Sequence, residues 1–278
     1  MQVRSNLTRT RLLLLTPQVG LSGTRIVVAA GAALLGGVLN SIAGGGTLLT
    51  FPALVAAGLS PLTANATSTV ALLPGALSSF LGYRRELTGA RRWAASITLP
   101  SILGGLAGAW LLLHTPGATF NHVVPWLILG ATALFISQKP LLRWARRHEV
   151  THQDDDTLTR NGPTPALLGW QAVIGVYGGY FGAGVGILML AALGFMGFTN
   201  LHRMNGLKNW GGFCMNLVAA ITFSVSGIVD WPVAMSMAVA AIIGGFLGSH
   251  GAQRLPQQYV RRAVAVVGIS SGVWMLLR

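Results

Sequence analysis

Two breaks in otherwise apolar sequence carry the groups that could do chemistry. Asn40-Ser41-Ile42-Ala43-Gly44-Gly45-Gly46-Thr47 interrupts one apolar run, and Tyr180-Phe181-Gly182-Ala183-Gly184-Val185-Gly186 interrupts another. Each is followed by an apolar stretch and then a polar cluster, Asn65-Ala66-Thr67-Ser68 in one case and Asn205-Gly206-Leu207-Lys208-Asn209 in the other. Glycines that break a helix inside a membrane expose backbone groups, which is tolerated only where they are buried in protein or line a cavity. A helix restarting at Thr47 or Val185 points its first amides at that cavity, and such a terminus carries ~+0.5 of an elementary charge. That arrangement suits an oxyanion. Asn65, Thr67, Asn205 and Asn209 would add amide and hydroxyl donors, and Lys208 a positive charge. The expected binding set is Gly44, Gly45, Gly46, Thr47, Asn65, Thr67, Gly182, Gly184, Gly186, Asn205, Lys208 and Asn209. Helix N-capping is the plainer role for the Asn and Thr side chains, and close helix packing the plainer role for the glycines.

The elements around these residues read as membrane helices. The chain is 52% hydrophobic and 9% charged, where a soluble domain carries about a quarter charged residues. Apolar stretches run over 26–42, 47–59, 66–83, 93–113, 122–137, 166–181, 184–199, 210–229, 232–249 and 263–277. A crossing takes ~20 apolar residues. The breaks, the polar clusters and the pairs Gly104/Gly108 and Gly244/Gly248 recur at an offset of ~140 residues, which marks a duplicated unit. Paired glycine-interrupted segments in two halves point to a transporter binding site. The expected architecture is an all-α membrane protein of two homologous halves with Gly-broken helices or helical hairpins and about eight transmembrane segments. The basic tail covers 1–25, the first repeat 26–138, a polar linker 139–165 and the second repeat 166–278. At Gly104/Gly108 and Gly244/Gly248 helix packing is the favoured reading.

Loop charge bears on orientation. In the first half Arg84-Arg85 and Arg91-Arg92 occupy the connection between two spans, and its neighbours 59–65 and 114–121 carry no Lys or Arg. In the second half the equivalent connection, 227–231, has no positive charge, while His202-Arg203, Lys208, Arg254, Arg261 and Arg262 flank it. Because basic loops face the cytoplasm, this swap favours inverted halves, with each broken segment a hairpin of two short helices. If each broken segment crosses once instead, the repeats are parallel. The Arg-rich N-terminus agrees better with that second arrangement.

These residues carry a family resemblance. Asn40-x-Ile42-Ala43-Gly44-Gly45-Gly46, then Pro52-Ala53-Leu54-x-x-x-Gly58-Leu59-x-Pro61-x-x-Ala64-Asn65-Ala66-Thr67 and Tyr83-Arg84-Arg85, resemble the TauE/SafE sulfite-exporter family. Gly175-x-Tyr177-Gly178-Gly179-Tyr180-Phe181-Gly182-Ala183-Gly184-x-Gly186, with Asn205, Lys208-Asn209 and Asp230-Trp231, is similar to its C-terminal half. Thr47 and Met204 depart from the family pattern. The resemblance covers nearly the whole chain. It implies a multi-pass permease of the inner (cytoplasmic) membrane for small sulfur-containing anions such as sulfite or sulfonates.

Other classes fit less well. The six acids, Glu86, Glu149, Asp154, Asp155, Asp156 and Asp230, all fall outside the apolar spans, whereas proton relays and many cation sites use intramembrane carboxylates. The net charge of +13 reads as membrane orientation rather than nucleic-acid binding, for want of a clustered basic face with interleaved aromatics. The Asp154–Asp156 run reads as a solvated loop rather than a metal site. Cys214 is the sole cysteine, so no internal disulfide forms. No ATP-binding loop is present. We expect no catalytic residues, no metal and no cofactor; the partners are a small anionic substrate and the lipid bilayer. A non-transporting scaffold or assembly subunit is the alternative, and an intramembrane enzyme a weaker one. The sequence leaves the exact substrate, coupling ion, direction and oligomeric state open.

Overall fold

The computed structural model describes residues 23–42, 44–87, 89–148, 155–250 and 257–277. Most of the 1–25 tail, residues 149–154 of the linker and residues 251–256 after the second half's fourth helix lie outside this set. Among the described residues the chain is helical without strands. The order is α1 (Gly23–Ile42), α2 (Thr47–Ala56), α3 (Pro61–Tyr83), a 3₁₀ turn (Arg84–Leu87), α4 (Arg91–His114) and α5 (Gly117–Ile136). Then come α6 (Gln138–Arg147), α7 (Asp155–Asn161), α8 (Pro165–Tyr180), α9 (Val185–Phe195), α10 (Leu201–Ser226), α11 (Trp231–His250) and α12 (Gln257–Leu276).

Local chemistry sets the boundaries. The helices after both breaks start at Thr47 and Val185, as the glycine runs imply. The polar clusters do not start helices, however. Ser60 caps α3, its hydroxyl accepting from the Thr63 N–H at 3.2 Å ahead of Pro61 at the first helical position. Asn200 caps α10, its Oδ1 accepting from the N–H groups of His202 (2.9 Å) and Arg203 (3.2 Å). Each cap satisfies amides that have no intrahelical acceptor. Asn65 and Asn205 therefore lie inside their helices rather than at the caps.

The contacts give each helix a direction. In the hairpin α1–α2, Gly36 lies against Gly46 and Thr50, so α2 doubles back on α1. In α8–α9, Gly178 faces Val185 and Gln171 faces Met189, so α9 doubles back on α8. Helix α1 packs along α11 with Leu34 at Gly244 and Ser41 at Gly248, running the same way. Helix α3 also runs with α11: Thr67 meets Asp230, Gly75 meets Ala241, and Gly82 meets Ser249. Helices α8 and α10 run with α4, through Gln171 at Ser101 and Val176 at Gly108, and through Trp210 at Ala94 and Met215 at Gly105. Helices α3 and α10 are antiparallel, with Tyr83 near Gly206 and the Phe80 ring tilted against Trp210 at 4.9 Å. Helices α5 and α12 are antiparallel too, with Thr132 at Gly268 and Pro125 at Gly272. Gly104, Gly108, Gly244 and Gly248 sit at these crossings against neighbouring backbone, which is the packing role: without a Cβ the helix axes close up.

Among the described residues, three helices are long and apolar enough to cross a membrane by length and composition: α4, α5 and α11. Helices α3 and α10 are as long, but their buried polar residues lower their hydropathy. Large side chains are exposed along the flanks, among them Leu99, Leu103, Val239 and Phe246. Trp110 and Trp231 lie exposed toward one end and Trp144 and Trp170 toward the other, the positions aromatic side chains take at the two membrane–water boundaries.

The linker is more structured than a polar loop. Asp155 accepts from the N–H groups of Thr199 (2.9 Å) and Asn200 (3.0 Å), and Asp156 pairs with Arg203 at 3.1 Å. Trp93 donates its indole N–H to Leu158 O at 2.8 Å. Helix α7 thus clasps the starts of α4 and α10, at the end of the bundle where Arg84, Arg85, Arg91 and Arg92 also lie. Two of the three linked carboxylates are used as helix-terminus and ion-pair acceptors.

Candidate functional site

The two breaks are built alike. Gly44 (φ +78°) follows α1, and its N–H reaches back five residues to Leu39 O at 3.0 Å; Gly182 (φ +76°) follows α8, and its N–H reaches Tyr177 O at 3.1 Å. A positive φ costs an L-residue ~1–2 kcal/mol, so glycine fits both turns. Tyr177 adds a tie across the second break, its hydroxyl donating to Ala183 O at 2.6 Å.

The breaks touch. A Cβ built on Gly44 would stand 2.5 Å from the Gly186 Cα, and one built on Gly186 would stand 2.7 Å from the Gly44 Cα and 3.0 Å from the Lys208 Cδ. Beside this contact lies a small cavity of ≈ 20 Å³, room for about one water. Asn40, Lys208, Asn209 and Asn216 form its polar wall. Val185, Met189, Phe213 and Ala76 form the apolar one. Gly186 is the second residue of α9, in the turn where N–H groups lack intrahelical acceptors.

Lys208 dominates the electrostatics. It is 2% exposed, and its ammonium donates to Asn40 O at 3.0 Å and Ser41 O at 2.9 Å. Those carbonyls belong to the last turn of α1, the negative end of its dipole. Among the described residues no carboxylate reaches Lys208. Asn209 donates its amide to Ser41 O at 3.4 Å, and the buried Ser41 hydroxyl has no partner. A lysine of α10 in the second half is thus held by the helix end of the first. An ammonium with three donors keeps one beyond the two carbonyls. The cavity can therefore offer an anion a charge, amide N–H groups and a helix start.

Of the residues expected from sequence, the structure brings Gly44, Gly186, Lys208 and Asn209 to this cavity. The others do not line it. Gly45 faces the Phe135 ring, which a Cβ there would meet at 3.0 Å, Gly46 lies against the Gly36 backbone, and Gly184 abuts Ala131. A Cβ built on Gly182 would stand 4.0 Å from the Asn216 Oδ1. Thr47 opens α2. Asn65 donates to Tyr180 O at 3.0 Å, bridging α3 to the opposite break, and its Oδ1 is buried without a partner. The Asn205 Oδ1 is likewise unpartnered. Thr67 accepts from the Asp230 N–H at 3.0 Å, away from the cavity. Asn216 was not in the expected set, although Asn205, Asn209, Gly212 and Asn216 recur along one face of α10 at steps of four, three and four residues.

Comparison with known proteins agrees with the resemblance. A family model described as sulfite exporter TauE/SafE matches residues 29–275. The chain is similar to a probable membrane transporter protein of Sinorhizobium sp., 30% identical over 246 residues, 88% of this chain and 90% of that protein. A probable membrane transporter protein of Escherichia coli strain K12 is 27% identical over 84% of this chain and 83% of its own length. One of Haemophilus influenzae is 29% identical over 82% and 86%. No solved structure matches.

Proposed function

The chain belongs to the TauE/SafE sulfite exporter family of multi-pass membrane proteins, and from that premise we propose that it is a permease for small sulfur-containing anions, sulfite or a sulfonate, bound where its two glycine breaks meet. The carrying observation is Lys208. A buried ammonium with no carboxylate partner is costly, and an ionisable residue inside a membrane helix is by default a site on a transport path. An anion supplies the missing counter-charge. Asn209, Asn40 and the first turn of α9 lie close enough to complete its hydrogen bonds. A cavity of ≈ 20 Å³ is too small for a sulfur oxyanion, so loading separates the Gly44–Gly186 contact, and this structure corresponds to a closed state.

The helix directions support inverted repeats. Helices α1, α3 and α11 run one way and their counterparts α8, α10 and α4 the other. Under that reading eight helices cross the membrane (α1, α3, α4, α5, α8, α10, α11 and α12), while α2 and α9 turn back at the breaks. The end carrying residues 84–92 and 203 would face the cytoplasm by its Lys/Arg excess, with the start of α1 on the opposite side; an inner-membrane location goes with that reading. Thiol labelling checks this. In a Cys214→Ala background, an impermeant maleimide added from the periplasm is expected to label Ser226→Cys and not Gly89→Cys. Labelling of both positions from one side would refute inversion.

Flux tests the activity. Purified protein in liposomes is expected to accumulate labelled sulfite or a short sulfonate under an imposed potential. Protein that is folded and inserted yet moves neither would overturn the reading in favour of a non-transporting scaffold.

A further inference from the structure

Helix α6 has no part in the proposed site, yet its residues are sorted by side. At 100° per residue, Lys139, Arg143 and Arg147 follow at i, i+4 and i+8 and fall within one narrow stripe. Leu141, Leu142 and Trp144 fall on the opposite arc. The structure agrees with this sorting. The three cations are exposed, and among the described residues none has a hydrogen-bond or ion-pair partner. Leu141 and Leu142 are partly buried against the core. Trp144 is half exposed and meets Phe195, the last residue of α9, edge to face at 4.8 Å and 88°.

Position completes the argument. Helix α6 starts two residues after the apolar α5 ends at Ile136, so it leaves the hydrocarbon and cannot travel far from it. It packs on α9 rather than continuing α5. A short basic amphipathic helix at that level lies in the headgroup layer. A row of unpaired cations there is complementary to phosphate diesters.

We propose that α6 is a binding site for the headgroup of an anionic phospholipid, with Lys139, Arg143 and Arg147 holding the phosphate and Trp144 linking the bound lipid to α9. The helix so linked is the arm whose first residues, Val185 and Gly186, line the central cavity. Lipid occupancy would then hold α9 in place, whatever the transported anion is.

The test uses full-length protein in neutral detergent, titrated with phosphatidylglycerol, with phosphatidylcholine and with inorganic phosphate, and read by the rise in Tm. Phosphatidylglycerol is expected to raise Tm and the other two not to. Each cation near an anionic headgroup contributes about fivefold, so the variant Lys139→Gln/Arg143→Gln/Arg147→Gln should weaken the response on the order of 100-fold. Arg84→Gln/Arg85→Gln/Arg91→Gln should leave it unchanged. Arg143→Gln alone, with an expected loss of about fivefold, keeps the test open if the triple variant fails to fold. Equal responses to the two lipids, an equal response to inorganic phosphate, or equal losses in the two triple variants would each overturn the proposal.

Discussion

Lys208→Met is expected to abolish saturable anion transport while the protein still inserts and folds. Removing one partner of a buried charge pair costs about 2–5 kcal/mol of binding, roughly 30- to several-thousand-fold in affinity. Neighbouring Asn209 and Asn40 offer neutral dipoles and cannot replace a full charge. Stability should move the other way. The ammonium donates to two carbonyls, and among the described residues no carboxylate pairs with it. Replacing buried charge by an apolar side chain of similar volume is neutral to stabilising, by up to about 4 kcal/mol. Loss of flux at an equal or higher Tm is therefore the signature of a binding residue. A variant that loses Tm and flux together would mark Lys208 as a structural tie between α10 and α1. One that keeps wild-type affinity would remove it from the site. Arg should not rescue, because the planar guanidinium is larger than the cavity admits.

The second large effect concerns the contact between the breaks. Gly44→Ala and Gly186→Ala each put a methyl against backbone, at 2.5 and 2.7 Å, where no rotamer change gives relief. Overpacking costs about 1–3 kcal/mol, and at Gly44 the positive φ adds ~1–2 kcal/mol. The expected order of damage to Tm and flux is Gly44→Ala first and Gly186→Ala second. Gly45→Ala should be mildest, since its methyl meets the Phe135 ring at 3.0 Å and a side chain can shift. If Gly45→Ala is as harmful as Gly44→Ala, the close approach of the hairpins is not what these glycines serve.

Much of this arrangement was legible in the sequence because it rests on local signals. Runs of glycine end helices, and both return arms begin where the runs stop, at Thr47 and Val185. The scarcity of charge in apolar stretches marks membrane helices without reference to partners. Two local signals compete at the starts of α3 and α10. Ser60-Pro61 and Asn200 are the helix starts, and the Asn65 and Asn205 clusters, which look like caps, are interior positions. Asn65 spends its amide on Tyr180 O, a bond 115 residues away in sequence that no pattern announces. The same is true of the ligands of Lys208. Carbonyls have no side-chain signature, so Asn40 and Ser41 could be recognised as its partners only once α1 and α10 were seen together. Glycine spacing at 104/108 and 244/248 announced tight helix crossings but not which helices cross. The basic period of α6 is present in the sequence, but the polar segment around it hides an amphipathic helix among loop residues.

The exchange of partners between halves has a consequence for how the chain is made. Helix α1 packs along α11 and α8 along α4, so the outer helix of each half finds its seat in the other. During synthesis α1 is complete roughly 200 residues before its seat exists, an interval of about 10–40 s at 5–20 residues per second. Through that time its small-residue face, Gly37 and Ser41 included, waits in lipid or against another occupant. A half expressed alone would remain a client of the insertion and quality-control machinery, and a lesion in α11 would be felt first as an orphaned α1, at the far end of the gene.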